Sequence, residues 1–163
     1  MPFKEFITIR PENLKASYVP SDSVTIVPEL FEIFKNENIL FMPRYEEEKK
    51  YADGYSNIYY PPGPLNGLDV CYHTKAMLTG AGAFAREAAL LGVPAVSFFP
   101  SEVFLSVDEE MQRLGIQFKS RDCNEIKKYV DQTNRNNVNL DRSKIVLNSV
   151  LNIIDDIIAE QTK

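Results

Sequence analysis

The chain has 163 residues, of which 44% are apolar and 25% charged, and it carries a formal net charge of −5. That balance excludes an intrinsically disordered chain, and the counts of 7 glycines and 2 cysteines exclude collagen-like and disulfide-scaffold classes. The acidic excess argues against a nucleic-acid partner, because phosphate-backbone affinity rests on clustered Lys and Arg.

A chain of this length can bury about 70% of the surface its unfolded form exposes, and residues 1–163 read as a single domain. Cys71, Cys123 and the one histidine, His73, have no zinc or redox spacing. No metal is therefore expected, and the compartment reads as reducing and cytoplasmic. Residues 1–10 lack the apolar stretch and small-residue cleavage site of a signal peptide. The longest mostly apolar run, 88–99, contains Gly92, Pro94 and Ser97 and is too short for a transmembrane segment.

In chain order, short apolar runs predict strands over 6–9, 39–42, 58–60, 76–78, 95–99 and 116–118. Amphipathic segments between and after them predict helices over 28–36, 46–51, 68–72, 83–91, 107–114 and 124–133. Alternation of this kind defines an α/β protein with a parallel sheet of about six strands joined by helical crossovers. A final segment, 141–163, places Val146, Val150, Ile153 and Ile157 on one stripe with Leu147, Leu151, Ile154 and Ile158 beside it. It reads as a terminal amphipathic helix that must pack against something.

Ligands of open parallel sheets bind beyond the carboxyl ends of the strands. Here those ends carry Arg10, then Pro43 and Arg44, then the turn Pro61-Pro62-Gly63, then Thr79 to Gly82, then Pro100, Ser101 and Glu102. At the fourth of them a strand runs through Thr79-Gly80-Ala81-Gly82-Ala83 into a helix, where free amides and the helix dipole favour an anion such as phosphate. A third dinucleotide-type glycine and a P-loop Lys-Ser/Thr are both missing. Tight strand-to-helix packing is therefore an equal account of the two glycines.

Glu87, one turn into that helix, is placed to accept hydrogen bonds from a ribose diol or to serve as a solvated helix charge. Arg10, before Pro11, and Arg44, after Pro43, leave their strands in stiffened turns. They could grip a diphosphate in bidentate fashion or pair on the surface, with Glu46, Glu47 and Glu48 as partners for Arg44. His73 has no acidic or nucleophilic neighbour in sequence and reads as structural, the two cysteines read as buried small hydrophobes, and Asp108 reads as a first-turn helix charge. No catalytic residue is assigned.

Three separated motifs carry a family resemblance: Ile9-Arg10-Pro11-Glu12, Met42-Pro43-Arg44-Tyr45, and Ala85-Arg86-Glu87-Ala88-Ala89-Leu90-Leu91-Gly92-Val93-Pro94-Ala95. Over residues 6–130 the chain resembles the carboxy-terminal half of the family catalogued as domain of unknown function 354. That family is similar to the GT-B superfamily of UDP-N-acetylglucosamine 2-epimerase and two-domain nucleotide-sugar glycosyltransferases. The resemblance implies a Rossmann-like three-layer domain equivalent to one half of a GT-B fold.

It further implies that Gly80 and Gly82 present amides to a diphosphate and that Glu87 binds the ribose. Arg10 and Arg44 match family positions without assigned roles. The implied ligand is UDP or a UDP-sugar, with no other cofactor, and the implied partner is a domain or subunit supplying the amino-terminal half. The family's Gly-Gly-Gly-Thr-Met loop is here Gly80-Ala81-Gly82-Ala83-Phe84, which removes a middle glycine and a hydroxyl. A second reading is a non-catalytic binding or interaction module that keeps the fold; a third is a flavodoxin-like domain holding another phosphate ligand.

Overall fold

Three consecutive apolar residues in a strand bury side chains on both faces of a sheet, and this simple alternation organises the molecule. The computed structural model describes residues 2–17, 19–101, 105–137 and 140–161. Its strands are β1 (Ile7–Arg10), β2 (Ile39–Phe41), β3 (Ile58–Tyr59), β4 (Met77–Thr79), β5 (Ala95–Ser97) and β6 (Phe118–Lys119). They form one parallel sheet in the order β3-β2-β1-β4-β5-β6. Helices α1 (Val27–Ile33), α2 (Gly67–His73), α3 (Gly82–Leu90), α4 (Ser106–Arg113) and α5 (Cys123–Gln132) connect or follow the strands, and α6 (Leu140–Gln161) ends the described chain.

On one face, Ile7, Ile9, Ile39, Phe41, Leu78 and Val96 pack with Leu30 and Phe31 of α1 and Ile126 of α5. On the other, Leu40, Met77 and Ala95 pack with Val70 of α2, Ala88 of α3 and Met111 of α4. Neighbouring strand residues thus serve opposite cores, giving three layers. Thr8, fully buried on β1, keeps its hydroxyl satisfied by donating to Thr74 Oγ1 at 2.9 Å.

Most differences from the expected elements lie at their ends. Ile116 does not extend the sixth strand, because its N–H donates to the Met111 carbonyl and closes α4. Residues 46–52 form a 3₁₀ rather than an α-helix, opened by the Glu48 carboxylate accepting from the Arg44 and Tyr45 amides at 2.6 and 3.2 Å. The end of α3 matches its Leu91-Gly92-Val93 spelling. Gly92 has φ +71°, and Val93 N–H and Gly92 N–H return to the Ala88 and Ala89 carbonyls, so the chain reverses into β5.

The terminal helix departs from expectation in its surroundings. Its apolar stripe, including Val146, Val150, Ile153, Ile154 and Ile157, is exposed and packs on neither face of the sheet. Among the described residues, no helix is long and apolar enough to cross a membrane.

The two cysteines are buried, unpaired and separated by the sheet. Burial pushes the Cys71 thiol up to about 12, with the Glu87 charge adding to it, and burial likewise pushes Cys123 up to about 12, helped by Glu29. Both thiols are expected to resist a disulfide reagent at pH 8 in the native protein and to react fully in denaturant. Because the folded thiols ionise at higher pH than unfolded ones, this part of the stability is complete below the ordinary value of 9.0. It declines as pH rises through about 12, which urea unfolding across alkaline pH would record.

Candidate functional site

The strand order reverses at β1 and β4, and the register aligns Arg10 with Thr79, Thr79 with Ser97, and Ser97 with Lys119 along the carboxyl edge. Ligands of open α/β sheets enter at such a reversal. At the end of β4 the Thr79 hydroxyl accepts from Ala81 N–H at 2.9 Å, and Gly80 N–H donates to the Arg10 carbonyl at 3.0 Å. Ala81 is the extended residue preceding α3 and makes no side-chain cap. The first bond of the helix runs from Ala85 N–H to the Ala81 carbonyl. The amides of Gly82, Ala83 and Phe84 therefore have no partner within the helix, which is the arrangement that favours an anion.

The two glycines differ in what they are for. A Cβ on Gly80 would lie 2.5 Å from both Cα and Cγ of Glu12 and 2.7 Å from its nitrogen, so glycine is required there by the touching of two loops. A Cβ on Gly82 would meet only the Arg86 guanidinium, at 2.9 Å, and that flexible end can move.

A cleft of about 600 Å³ opens over this turn. It gathers six of the eight residues expected from the sequence: Arg44, Gly80, Ala81, Gly82, Ala83 and Ser101. Glu102, named beside Ser101, lies outside the described residues. Arg44 is held by its Nε donating to the Pro11 carbonyl at 2.9 Å. Of its expected surface partners, Glu46 pairs with Lys49 at 2.7 Å and Glu47 with Lys15 at 2.5 Å, while Glu48 accepts from the backbone amides of Arg44 itself and Tyr45.

Arg10 and Glu87 line a second recess of about 470 Å³ with Asn66, Gly67 and Phe84. The Arg10 guanidinium stands 4.9 Å from the Phe84 ring centroid, and its buried Nε has no hydrogen-bond partner. Burial holds Arg10 below its ordinary pKa, the Arg44 charge acts the same way, and Glu48 opposes them. Consecutive helix residues point about 100° apart. Arg86 accordingly borders the first recess and Glu87 the second, with the opening turn of α3 between them.

Several cleft residues were not singled out from the sequence. Arg86 was legible as the residue one turn after Gly82, and Lys119 as the residue following the sixth expected strand, 116–118; its Nζ donates to the Ser101 carbonyl at 2.6 Å. Asp108 does occupy the first turn of α4, but it also faces the cleft, 3.8 Å from Arg86 Nη1. Glu12, which follows Arg10-Pro11 in the first motif, is fully buried. It accepts from Arg121 Nη1 at 3.0 Å, Thr25 Oγ1 at 2.8 Å and Ile26 N–H at 3.3 Å. His73 is exposed at the end of α2 and lines neither recess. Among the described residues, no group of three or more His, Cys, Asp or Glu is placed to hold a metal ion.

A parallel six-stranded sheet in this order, covered by helices on both faces and with a glycine turn at the reversal, is a three-layer α/β fold of Rossmann type, and the solved structures it resembles are GT-B proteins. UDP-GlcNAc 2-epimerase of Methanocaldococcus jannaschii, solved with UDP-GlcNAc and UDP, superposes with a TM-score of 0.60 at 20% identity, over 82% of this chain and 40% of the epimerase chain. A glycotransferase of kitacinnamycin superposes at 0.56 with 15% identity, covering 81% and 35%, and Escherichia coli heptosyltransferase WaaC with ADP at 0.54 with 12%, covering 78% and 44%. The chain thus spans less than half of each of these proteins, and the likeness is one of fold.

The chain belongs to the family described as Protein of unknown function (DUF354), whose model matches residues 3–163. An uncharacterized protein of M. jannaschii, MJ0665, is 31% identical over 110 residues, which are 65% of this chain and 31% of that protein. The family match extends past residue 130, through the terminal helix.

Proposed function

We propose that the chain is the nucleotide-sugar-binding half of a GT-B-like glycosyltransferase or sugar-nucleotide epimerase, with UDP as the nucleotide, and that activity requires a second domain or subunit. One observation carries this reading: the uncapped first turn of α3 lies between a cleft bordered by Arg44, Arg86 and Lys119 and a recess bordered by Arg10, Glu87 and Phe84. A diphosphate in the cleft would be met by amides and guanidinium groups. A ribose in the recess would meet the Glu87 carboxylate, and Phe84 and Leu65 supply apolar surface for a base. The exposed stripe of α6 is the surface this reading gives to that second domain or subunit.

Calorimetry with UDP and inorganic pyrophosphate tests the assignment. Arg44→Ala is expected to weaken both ligands about tenfold or more, as for loss of a charge-assisted hydrogen bond. Glu87→Gln is expected to weaken UDP alone. Absence of UDP binding to the parent chain at millimolar ligand, or equal effects of both variants on both ligands, would defeat the reading.

A further inference from the structure

Two acceptor atoms in the cleft are buried without a donor. Gln117 is only 5% exposed, stands immediately before β6, and its Oε1 has no hydrogen-bond partner. Asp108 Oδ1, in the first turn of α4, is in the same condition, since 3.8 Å to Arg86 Nη1 exceeds hydrogen-bond distance. Both side chains line the cleft whose glycine turn presents free amides. Acceptors left unmet in the interior destabilise a fold, and where they face a cleft they specify what should enter it.

The chemistry narrows the occupant. A phosphate beyond the diphosphate at the glycine turn offers no donor and would be repelled by Asp108. A cation would meet Arg86 and Lys119 on the same walls. An apolar group would leave both acceptors unmet. Hydroxyl groups donate to Gln117 and Asp108 while accepting from the neighbouring cations.

We propose that Gln117 and Asp108 form a subsite for the hydroxyls of a sugar whose phosphate sits at the glycine turn. This rests on the nucleotide reading above and assigns its sugar end to α4 and β6. The subsite predicts that the chain binds UDP-glucose about tenfold more tightly than UDP, an increment of the size expected for well-made hydrogen bonds.

Gln117→Leu, similar in shape and without polar atoms, is expected to abolish most of that increment, to leave UDP affinity within about twofold, and to preserve or raise the thermal midpoint. Each outcome is decisive. UDP binding with no preference for UDP-glucose in the parent chain, or a preference that survives Gln117→Leu, overturns the subsite and leaves the nucleotide reading standing. A lowered thermal midpoint with both ligands weakened shows Gln117 to be a structural support and also overturns it. No UDP binding by the parent chain overturns both.

Discussion

Glu12→Ala is expected to destabilise the protein by about 3–5 kcal/mol, the usual cost of breaking a buried ion pair by removing one partner. The carboxylate is fully buried, while the Arg121 side chain is 30% exposed. Arg121 also donates to the Phe98 carbonyl at 2.6 Å and the Val24 carbonyl at 2.5 Å, so it remains partly satisfied in the variant and the lower end of the range applies. Thr25 Oγ1 and Ile26 N–H lose their acceptor as well. Domains of this kind are stable by only about 5–15 kcal/mol in total, so the effect is a large share. Urea denaturation should show a lower midpoint with an unchanged slope. A loss below about 1 kcal/mol would mean that the loop after β1 is held by other contacts.

Gly80→Ala is expected to cost about 1–3 kcal/mol or more, as for overpacking against atoms that cannot rotate away. The added methyl would press on the Glu12 backbone at 2.5 Å, and Glu12 is itself anchored by Arg121, so the two loops must part. Gly82→Ala is the matched control: its methyl meets only the end of the Arg86 side chain, and the expected cost is well under 1 kcal/mol. Denaturation of the two variants side by side decides the matter, and equal costs would contradict the geometry. Because Gly80 touches Glu12 and Glu12 holds the loop after β1, the two large effects are coupled and will not add.

These contacts show why the site was harder to read than the fold. Ile39-Leu40-Phe41 announces a strand buried on both faces because its own residues supply both apolar sides. Leu91-Gly92-Val93-Pro94 announces a helix end because the left-handed residue and its return bonds lie within a few positions. The site instead depends on where side chains point after the elements have packed. Arg86 and Glu87 are adjacent in the chain, yet the turn of α3 sends them to different recesses. Arg10 ends β1 and Arg44 lies three residues past β2 on the same sheet edge, yet one lies over Phe84 and the other is tied to Pro11. Gln117 carried no signal at all, since its significance is the absence of a partner.

The amino-acid sequence by itself determined the alternation of strands and helices, the polar character of one sheet edge, the glycine turn before α3 and the apolar stripe of α6. Each is written in short-range periodicity or in the position of a residue relative to the end of its own element. The tertiary structure alone decided the strand order, the division of Arg44 from Arg10 and Glu87, the demand for glycine at 80 and the exposure of the α6 stripe. Each depends on the approach of segments distant in the chain, and burial and contact exist only after those segments have met.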